Sequence, residues 1–450
     1  MKIGLIAMSG VRVADTELMK FGLTLPGFVE RSQVIASLPS LSLLTLAALT
    51  PPDVEVDYRE IPDLQAEGEL PGDYDLVAIS SYTAQIDDAY RVADHYHERG
   101  VPVVMGGLHV SVLPAEARAH HATTVAGEGE LSWPRVVEDF RRGRLQAEYA
   151  PPPGRSFDLA EAPLPRYELL DPARYNRLTV TTSRGCPHRC EFCASSILLT
   201  PHYRVKPVEK VIAEVRRIKE LWPDPFIEFA DDNSFVDRAH SRRLLSALRD
   251  EGVRWFTEAD ISIAQDPELL DLMRDSGCRQ VLIGLESPGA EGLDGLELRS
   301  NWKLRRQPGY EAAIRAIQSK GITVNGCFVL GLDGHTEQVF DAVYDFVERV
   351  GLYEVQITVL TPFPGTPLYQ RLAREKRLLR EGAWERCTLF DVNFVPTGMA
   401  PERLRAGLID LARRLYDRAF IEERRKRFFR ELRRARRKPV HEEGGPPHEA

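Results

Sequence analysis

Cys186, Cys190 and Cys193 are half of the chain's six cysteines, and they sit together in TTSRGCPHRCEFCAS, residues 181–195. Thiolates at that spacing aim at one centre. A four-iron cluster normally takes four protein thiolates, so a site with three leaves one iron open to a substrate or cofactor. That is an arrangement for chemistry. The alternative is a zinc knuckle, but zinc motifs usually close with a second Cys or His pair downstream, and none follows. The remaining cysteines, Cys278, Cys327 and Cys387, lie far apart and read as core thiols.

The residues around this loop show how it must be held. A β-like run over 178–182 leads into Ser183, Arg184 and Gly185, so the cysteines occupy a loop at the C-terminal end of a strand, where α/β proteins place ligands. Strand-like and helix-like segments then alternate to residue 360 and give six strand-helix units, too few for a closed eight-unit barrel. A partial (β/α)6 barrel, open on one side, is expected over 176–362. Its strand ends carry Asp231-Asp232-Asn233, Glu258 and Glu286-Ser287. Apolar strands rarely finish in carboxylates that lack partners, and internal salt bridges with arginine are the competing explanation.

Residues 1–146 read as a separate α/β domain, a doubly wound, flavodoxin-like parallel sheet with strand order 2-1-3-4-5. Its ligand edge is formed by the strand ends Ser80-Ser81-Tyr82, Gly106-Gly107-Leu108-His109 and Gly127-Glu128-Gly129-Glu130. Glycines there let backbone amides approach a ligand, although they also serve as plain turn residues, and a lone His109 is more often a structural hydrogen-bonder. No Walker A motif or complete GxGxxG is present. A long Gly- and Pro-rich loop before residue 39 reads as a cover over a ligand. Residues 147–175, dense in proline, read as an extended, solvated linker.

With Phe192 between its last two cysteines, the loop resembles the CxxxCxΦC signature of the radical S-adenosylmethionine (radical SAM) superfamily. The resemblance implies a [4Fe-4S] cluster on the three cysteines, with SAM chelating the open iron and being cleaved reductively to a 5′-deoxyadenosyl radical. Phe192 would lie against the adenine, and Asp231, Asp232 and Asn233 would hold the SAM amino group, although the family's Gly-Gly-Glu is absent here. Glu258, Glu286 and Ser287 would contact the rest of SAM, and one of Arg299, Lys303, Arg305 and Arg306 would pair with its carboxylate. Gly326 to Gly334 resembles the family's fifth-strand motif. The N-terminal segment resembles the cobalamin (B12)-binding domain that precedes radical SAM domains. By that resemblance a corrin lies over Ser80, Ser81, Tyr82, Gly106, Gly107, His109, Gly127, Glu128 and Gly129. Leu108 stands where that family commonly has proline, and DxHxxG is missing.

The resemblance implies a cobalamin-dependent methylase acting on an unactivated carbon of a small-molecule, lipid or peptide substrate, with an electron donor such as flavodoxin or ferredoxin. A radical enzyme that closes a ring, rearranges or oxidises without methyl transfer is the alternative. A methylthiotransferase would need further N-terminal cysteines, and the first 185 residues hold none. An iron-sulfur sensor would leave the strand-end polar groups without a task. The residues that carry the chemistry of the catalysed reaction itself are not identifiable from the sequence.

Composition is that of an ordinary globular protein, with 43% apolar and 28% charged residues and a net charge of −8. There is no apolar run long enough to span a membrane, the N-terminus opens as a strand, and clustered cysteines fit a reducing cytoplasm. Residues 363–440 read as a helical cap ending in one long helix over 401–437. From Arg413 to Lys438 that helix carries 13 Lys or Arg against 4 Asp or Glu. Such a basic helix, with Phe420, Phe428 and Phe429 interleaved, suits peripheral contact with an anionic membrane better than nucleic acid, unless its aromatics pack on the body. The tail 441–450 is expected to be disordered.

Overall fold

The computed structural model describes residues 1–9, 15–19, 38–152, 154–199 and 202–437. Most of the expected ligand-covering loop and the tail after 440 lie outside them.

The chain contains two parallel sheets. Strands β1 (Lys2–Met8), β2 (Glu55–Ile61), β3 (Leu76–Ser81), β4 (Val103–Gly106), β5 (Thr123–Val125) and β6 (Glu148–Tyr149) pair in the order β2-β1-β3-β4-β5-β6. The first five strands keep the order expected of a doubly wound sheet. β1 is apolar throughout and buried along almost its whole length, as a strand covered on both faces must be.

β7 (Leu178–Val180) enters the second sheet, and the short β8 (Ser183–Arg184) and β9 (Arg204–Val205) form an antiparallel ribbon beside it. β10 (Phe226–Ser234), β11 (Arg254–Ala259), β12 (Cys278–Glu286), β13 (Thr323–Leu330) and β14 (Glu354–Val359) complete a six-stranded parallel sheet in chain order. Each strand therefore lies beside its successor through a crossover helix, which makes the expected partial barrel.

Two expectations fail for packing reasons. The proline-dense segment over 147–175 is neither extended nor solvated. It supplies β6, and then buries Tyr167 and Tyr175 in the core of the second sheet. Tyr175 Oη donates to Glu60 Oε1 (2.7 Å) at the end of β2. Proline content signalled irregular backbone correctly, but the aromatic residues between the prolines decide that it packs.

The single terminal helix is also two, Pro401–Leu415 and Arg418–Arg437. Asp417 accepts the Phe420 N–H (3.0 Å) as a cap for the second helix. Arg424 is 3% exposed and donates to the carbonyls of Leu415 (3.1 Å) and Leu352 (3.2 Å), placing a cation at the C-terminus of the first helix. Phe420 stacks on Tyr344, with ring centroids 4.9 Å apart, and Phe428 packs edge-on against Tyr353 at 5.0 Å. Only Phe429, 48% exposed, is left outside. No helix among the described residues is long and apolar enough to cross a membrane.

The segment before these helices joins the two sheets. Trp384 and Cys387 are buried within the core of the N-terminal sheet, while Val359 of β14 donates its N–H to the Leu389 carbonyl (2.7 Å).

Candidate functional site

The cysteine loop leaves β8 and is fastened from three consecutive positions on β10. Asp231 is 3% exposed, and its Oδ1 accepts the N–H groups of Thr182 (2.7 Å) and Ser183 (2.9 Å). Its Oδ2 accepts the hydroxyls of Thr182 and Ser234, the latter at 2.8 Å. Burial raises the pKa of Asp231, and these donors oppose that rise. Asp232 accepts the Gly185 N–H (2.8 Å) on one side of the cysteines and the Ser195 hydroxyl on the other. Asn233 donates through Nδ2 to Cys186 Sγ (3.7 Å) and to Asp260 Oδ2 (3.0 Å), and its Oδ1 accepts the Asp260 N–H (3.0 Å). The group expected to hold the SAM amino group therefore holds the loop itself. Strand-end position makes these residues conspicuous, but the sequence does not reveal that Asp231 Oδ1 faces backbone N–H groups 48 and 49 residues earlier.

Glu297 secures the far side, and no motif in the sequence marks it. It is 2% exposed and accepts the N–H groups of Arg189 (3.1 Å), Arg299 (3.1 Å) and Ser300 (2.7 Å). Burial alone would raise its pKa, but these donors outweigh burial and bring it down to about 2. An antiparallel bridge pairs Cys190 with Glu297. The His188 ring lies tilted against Trp302 at 4.2 Å and reaches Asp260 Oδ2 (3.4 Å).

None of the six cysteines forms a disulfide. Burial, and secondarily Cys193, pushes Cys186 up to about 11, and burial, with Glu286 and the other two thiols, pushes Cys190 up to about 12 against the pull of Lys303. A nearby cationic centre favours the thiolate form, and an iron cluster would supply one. No group of three His, Cys, Asp or Glu side chains among the described residues is arranged to hold a single metal ion. The thiolates of a cluster each bind a different iron, so they need not converge as the ligands of one zinc must. Phe192 packs partly buried against the core of the second sheet.

Farther along the strand ends, Glu286 adopts φ +65°, a sparsely populated conformation for a side-chain-bearing residue. It binds Lys303 Nζ (2.8 Å), which also donates to the Gly284 carbonyl (2.5 Å). Burial opposes the Lys303 charge, but Glu286 and then Cys190 raise its pKa above the ordinary value. Of the four basic residues expected to offer a SAM contact, only Lys303 is buried beside the cysteines; Arg299 and Arg305 are exposed. Ser287, 1% exposed, is paired with His335 Nε2 (3.1 Å) rather than left open. Cys327 is partly exposed and feels Glu286 and Glu258, so it borders this region and is less enclosed than Cys278 and Cys387.

Tyr82 follows the end of β3 in the first sheet, and Glu258 stands near the end of β11 in the second. Each keeps open side-chain surface, 59% for Tyr82, yet burial is the leading cause that raises the pKa of both. Tyr82, from the first sheet, feels Glu228 of the second. Glu258 is pushed up to about 8 by burial and by the nearby carboxylates of Glu228, Asp232, Asp231 and Glu286. Folding therefore favours its protonated form: the associated stability is complete below the unfolded value of 4.5 and is lost as pH rises toward 8. In the cofactor-free protein, Glu258→Gln is expected to melt with the parent near pH 4.5 and above it, by a few degrees, near pH 9. Thermal denaturation across pH at fixed ionic strength checks this, and a pH-independent difference would contradict it.

At the ligand edge of the first sheet, the Ser111 hydroxyl donates to the Gly107 carbonyl (2.7 Å) and accepts the Gly127 N–H (2.8 Å), tying two turns together. Gly107 has φ +105°, and Gly127 has φ +73° with Pro151 3.4 Å from where a Cβ would stand. Gly106 ends β4, Ser80 is half-buried, and the Ser81 hydroxyl donates to the Tyr82 carbonyl (2.9 Å). A Cβ at Gly129 would touch Leu46 at 3.4 Å, so this glycine fits the helix Leu41–Leu49.

Two expected contacts are directed elsewhere. His109 is completely buried, with Nε2 on Glu116 Oε2 (3.1 Å) and its ring edge-on to Trp384 at 5.3 Å. Glu128 binds Arg184 (2.9 Å), Arg204 (2.8 Å) and the Phe157 N–H (2.7 Å), and Glu130 takes the other arm of Arg184. Arg184 precedes Gly185 and Cys186, so a ligand turn of one sheet grips the root of the cysteine loop of the other.

Residues 180–347 match the radical SAM superfamily, residues 56–137 the B12 binding domain, and residues 366–447 a domain of unknown function (DUF4070). The chain is 29% identical to bacteriochlorophyllide d C-12(1)-methyltransferase of Chlorobaculum tepidum over 85% of its own length and 84% of that protein's. It is 28% identical to hopanoid C-2 methylase of Rhodopseudomonas palustris over 77% of its own length and 67% of that protein's. Its fold is similar to that of the radical SAM methyltransferase TsrM from Kitasatospora setae, solved with cobalamin and a [4Fe-4S] cluster, at a TM-score of 0.66 and 16% identity, covering 97% of this chain and 99% of that one.

Proposed function

We propose that this chain, a radical SAM protein with an N-terminal B12-binding domain, is a cobalamin-dependent methylase of an unactivated carbon in a small molecule. The observation that carries the reading is the Arg184 clamp. Arg184 sits at the root of the cysteine loop and pairs with Glu128 and Glu130 on the turn that follows β5 of the other sheet, which supports a pair of cofactors bound side by side. Bound there, a cluster would supply an electron to SAM and cobalamin a methyl group.

In this reading Cys186, Cys190 and Cys193 ligate the cluster, while Asp231, Asp232, Asn233 and Glu297 fix the loop. Phe192, Lys303 and Glu286 border SAM, and Tyr82 with the Gly107 and Gly127 turns carries the corrin. Burial raises the pKa of both Tyr82 and Glu258, which supports a setting low in water, and exclusion of water protects a carbon radical. The domains would divide at residues 1–146, 147–175, 176–362 and 363–440. The relatives' tetrapyrrole and hopanoid substrates support a largely apolar polycyclic compound, and six cysteines without a disulfide support a cytoplasmic setting. Membrane contact has little support, because Phe420 and Phe428 pack inward.

The test is anaerobic reconstitution with iron, sulfide and hydroxocobalamin, followed by turnover with SAM bearing a CD3 group and a tetrapyrrole or hopanoid substrate. An intact CD3 group in the product, formed together with deoxyadenosine, is expected. Deoxyadenosine with an altered but unlabelled product would instead mean a non-methylating reaction, and no deoxyadenosine at all would end the radical reading.

A further inference from the structure

A cavity of about 330 Å³ lies at the edge of the first sheet, between β6 and the start of the helix Trp133–Arg141. Tyr149, Pro151 and Pro152 give it apolar walls on one side, and Leu131, on the turn after β5, does so on the other. Its charged groups are mostly cationic. Arg155 is exposed and has no acidic partner among the described residues. Arg135 holds its guanidinium 5.6 Å from the centre of the Tyr149 ring and makes one long ion pair, to Asp139 at 3.5 Å. Asp139 already binds Arg144 (2.9 Å) and accepts the Tyr149 hydroxyl (3.0 Å), while Glu148, the acid that lines the cavity, binds Arg118 (2.8 Å). Ser132 is the N-cap residue of the helix, where a serine ordinarily accepts a backbone N–H of the first turn. Here it does not. Ser132 lines the cavity and is 5% exposed, yet its hydroxyl makes no hydrogen bond. A hydroxyl removed from water costs free energy until a partner meets it, and the cavity gives a partner access. The amino end of the helix adds partial positive charge at the same place.

We propose that this cavity binds a phosphate ester of a small molecule, with Arg135 and Arg155 on the phosphoryl oxygens, the Ser132 hydroxyl donating to one of them, and the apolar walls against the organic part. Guanidinium forks and a helix amino end both match the charge and the several acceptor oxygens of a phosphoryl group. Ligand cavities run from about 300 to 1,000 Å³, so this one takes a compound of sugar-phosphate size. Two sources carry that chemistry: a free sugar phosphate, and the phosphodiester in the nucleotide tail of a cobalamin. The first is independent of the proposed function, and the second rests on it.

The test uses the full chain, R135E/R155E and S132A. Calorimetric titration compares ribose 5-phosphate with ribose, and absorbance titration compares hydroxocobalamin with cobinamide, which lacks the phosphate. Ribose 5-phosphate is expected to bind the parent at least about tenfold more tightly than ribose, and to lose about tenfold in R135E/R155E and about threefold in S132A. If ribose 5-phosphate fails to bind but the parent prefers hydroxocobalamin to cobinamide by about tenfold and R135E/R155E loses that preference, the tail is the occupant and the cavity keeps its role. Equal binding of ribose and its phosphate together with equal binding of the two corrinoids overturns the proposal. So does a phosphate preference that R135E/R155E retains in full, because the cations of the cavity would then have no part in it. A parent that binds neither corrinoid sinks the cobalamin reading alone, since the sugar phosphate arm involves no corrin.

Discussion

Cys190→Ala is expected to lower SAM cleavage by about 10³-fold or more, because a cluster left with two protein thiolates has no replacement ligand within the fold. Cys190 is the innermost of the three, 8% exposed and bridged to Glu297, and its carbonyl accepts the Cys193 N–H (3.0 Å). The backbone that presents it is secured by Glu297 and Asp232, neither of which touches its sulfur. The alanine variant should therefore keep its fold and its cobalamin while failing to take up a full complement of iron and sulfide. Iron and sulfide analysis, the electron paramagnetic resonance signal of the reduced protein and deoxyadenosine yield measure this together. A variant that loads iron normally and still cleaves SAM would remove the cluster from this loop.

Asp231→Ala is expected to destabilise the protein by about 3 kcal/mol or more, since it strands the buried N–H groups of Thr182 and Ser183, each costing about 1–3 kcal/mol without a partner. The two hydroxyls are less affected, because Ser234 Oγ already lies 2.7 Å from Thr257 Oγ1. Asp231→Asn should be far milder. Its Oδ1 can keep both N–H groups and its Nδ2 can donate to hydroxyls that rotate to accept. A fall of about 5–10 °C in the melting temperature for alanine, against a small change for asparagine, is the expected pattern. If Asp231 instead bound the SAM amino group, asparagine would lose SAM affinity with its melting temperature intact, and that outcome would restore the ligand role.

The contrast between these two positions marks how far the sequence reads. Apolar runs alternating with helical periodicity specify parallel strands and their sequential pairing, because both signals depend on residues close in the chain. The flavodoxin-like order of the first sheet and the six-unit second sheet follow from them. The cysteine spacing is equally local, as are the glycines at the turns of Gly107 and Gly127.

Tertiary structure alone decided what the charged residues do. Asp231, Asp232, Glu128 and Glu286 all stand at strand ends, and by position alone each is a ligand contact. Yet Asp231 holds Thr182, Asp232 straps Gly185 and Ser195, and Glu128 grips Arg184 and Arg204, while Glu286 keeps its place beside the cysteines by binding Lys303. Glu297, which carries the other side of the loop, sits in no motif at all. A carboxylate entering a low-dielectric interior pairs with whichever donors the fold brings within about 3 Å, and those donors come from segments distant in sequence. The same holds for the segment over 147–175, whose prolines specify irregular backbone while the burial of Tyr167 and Tyr175 depends on a sheet formed by other parts of the chain.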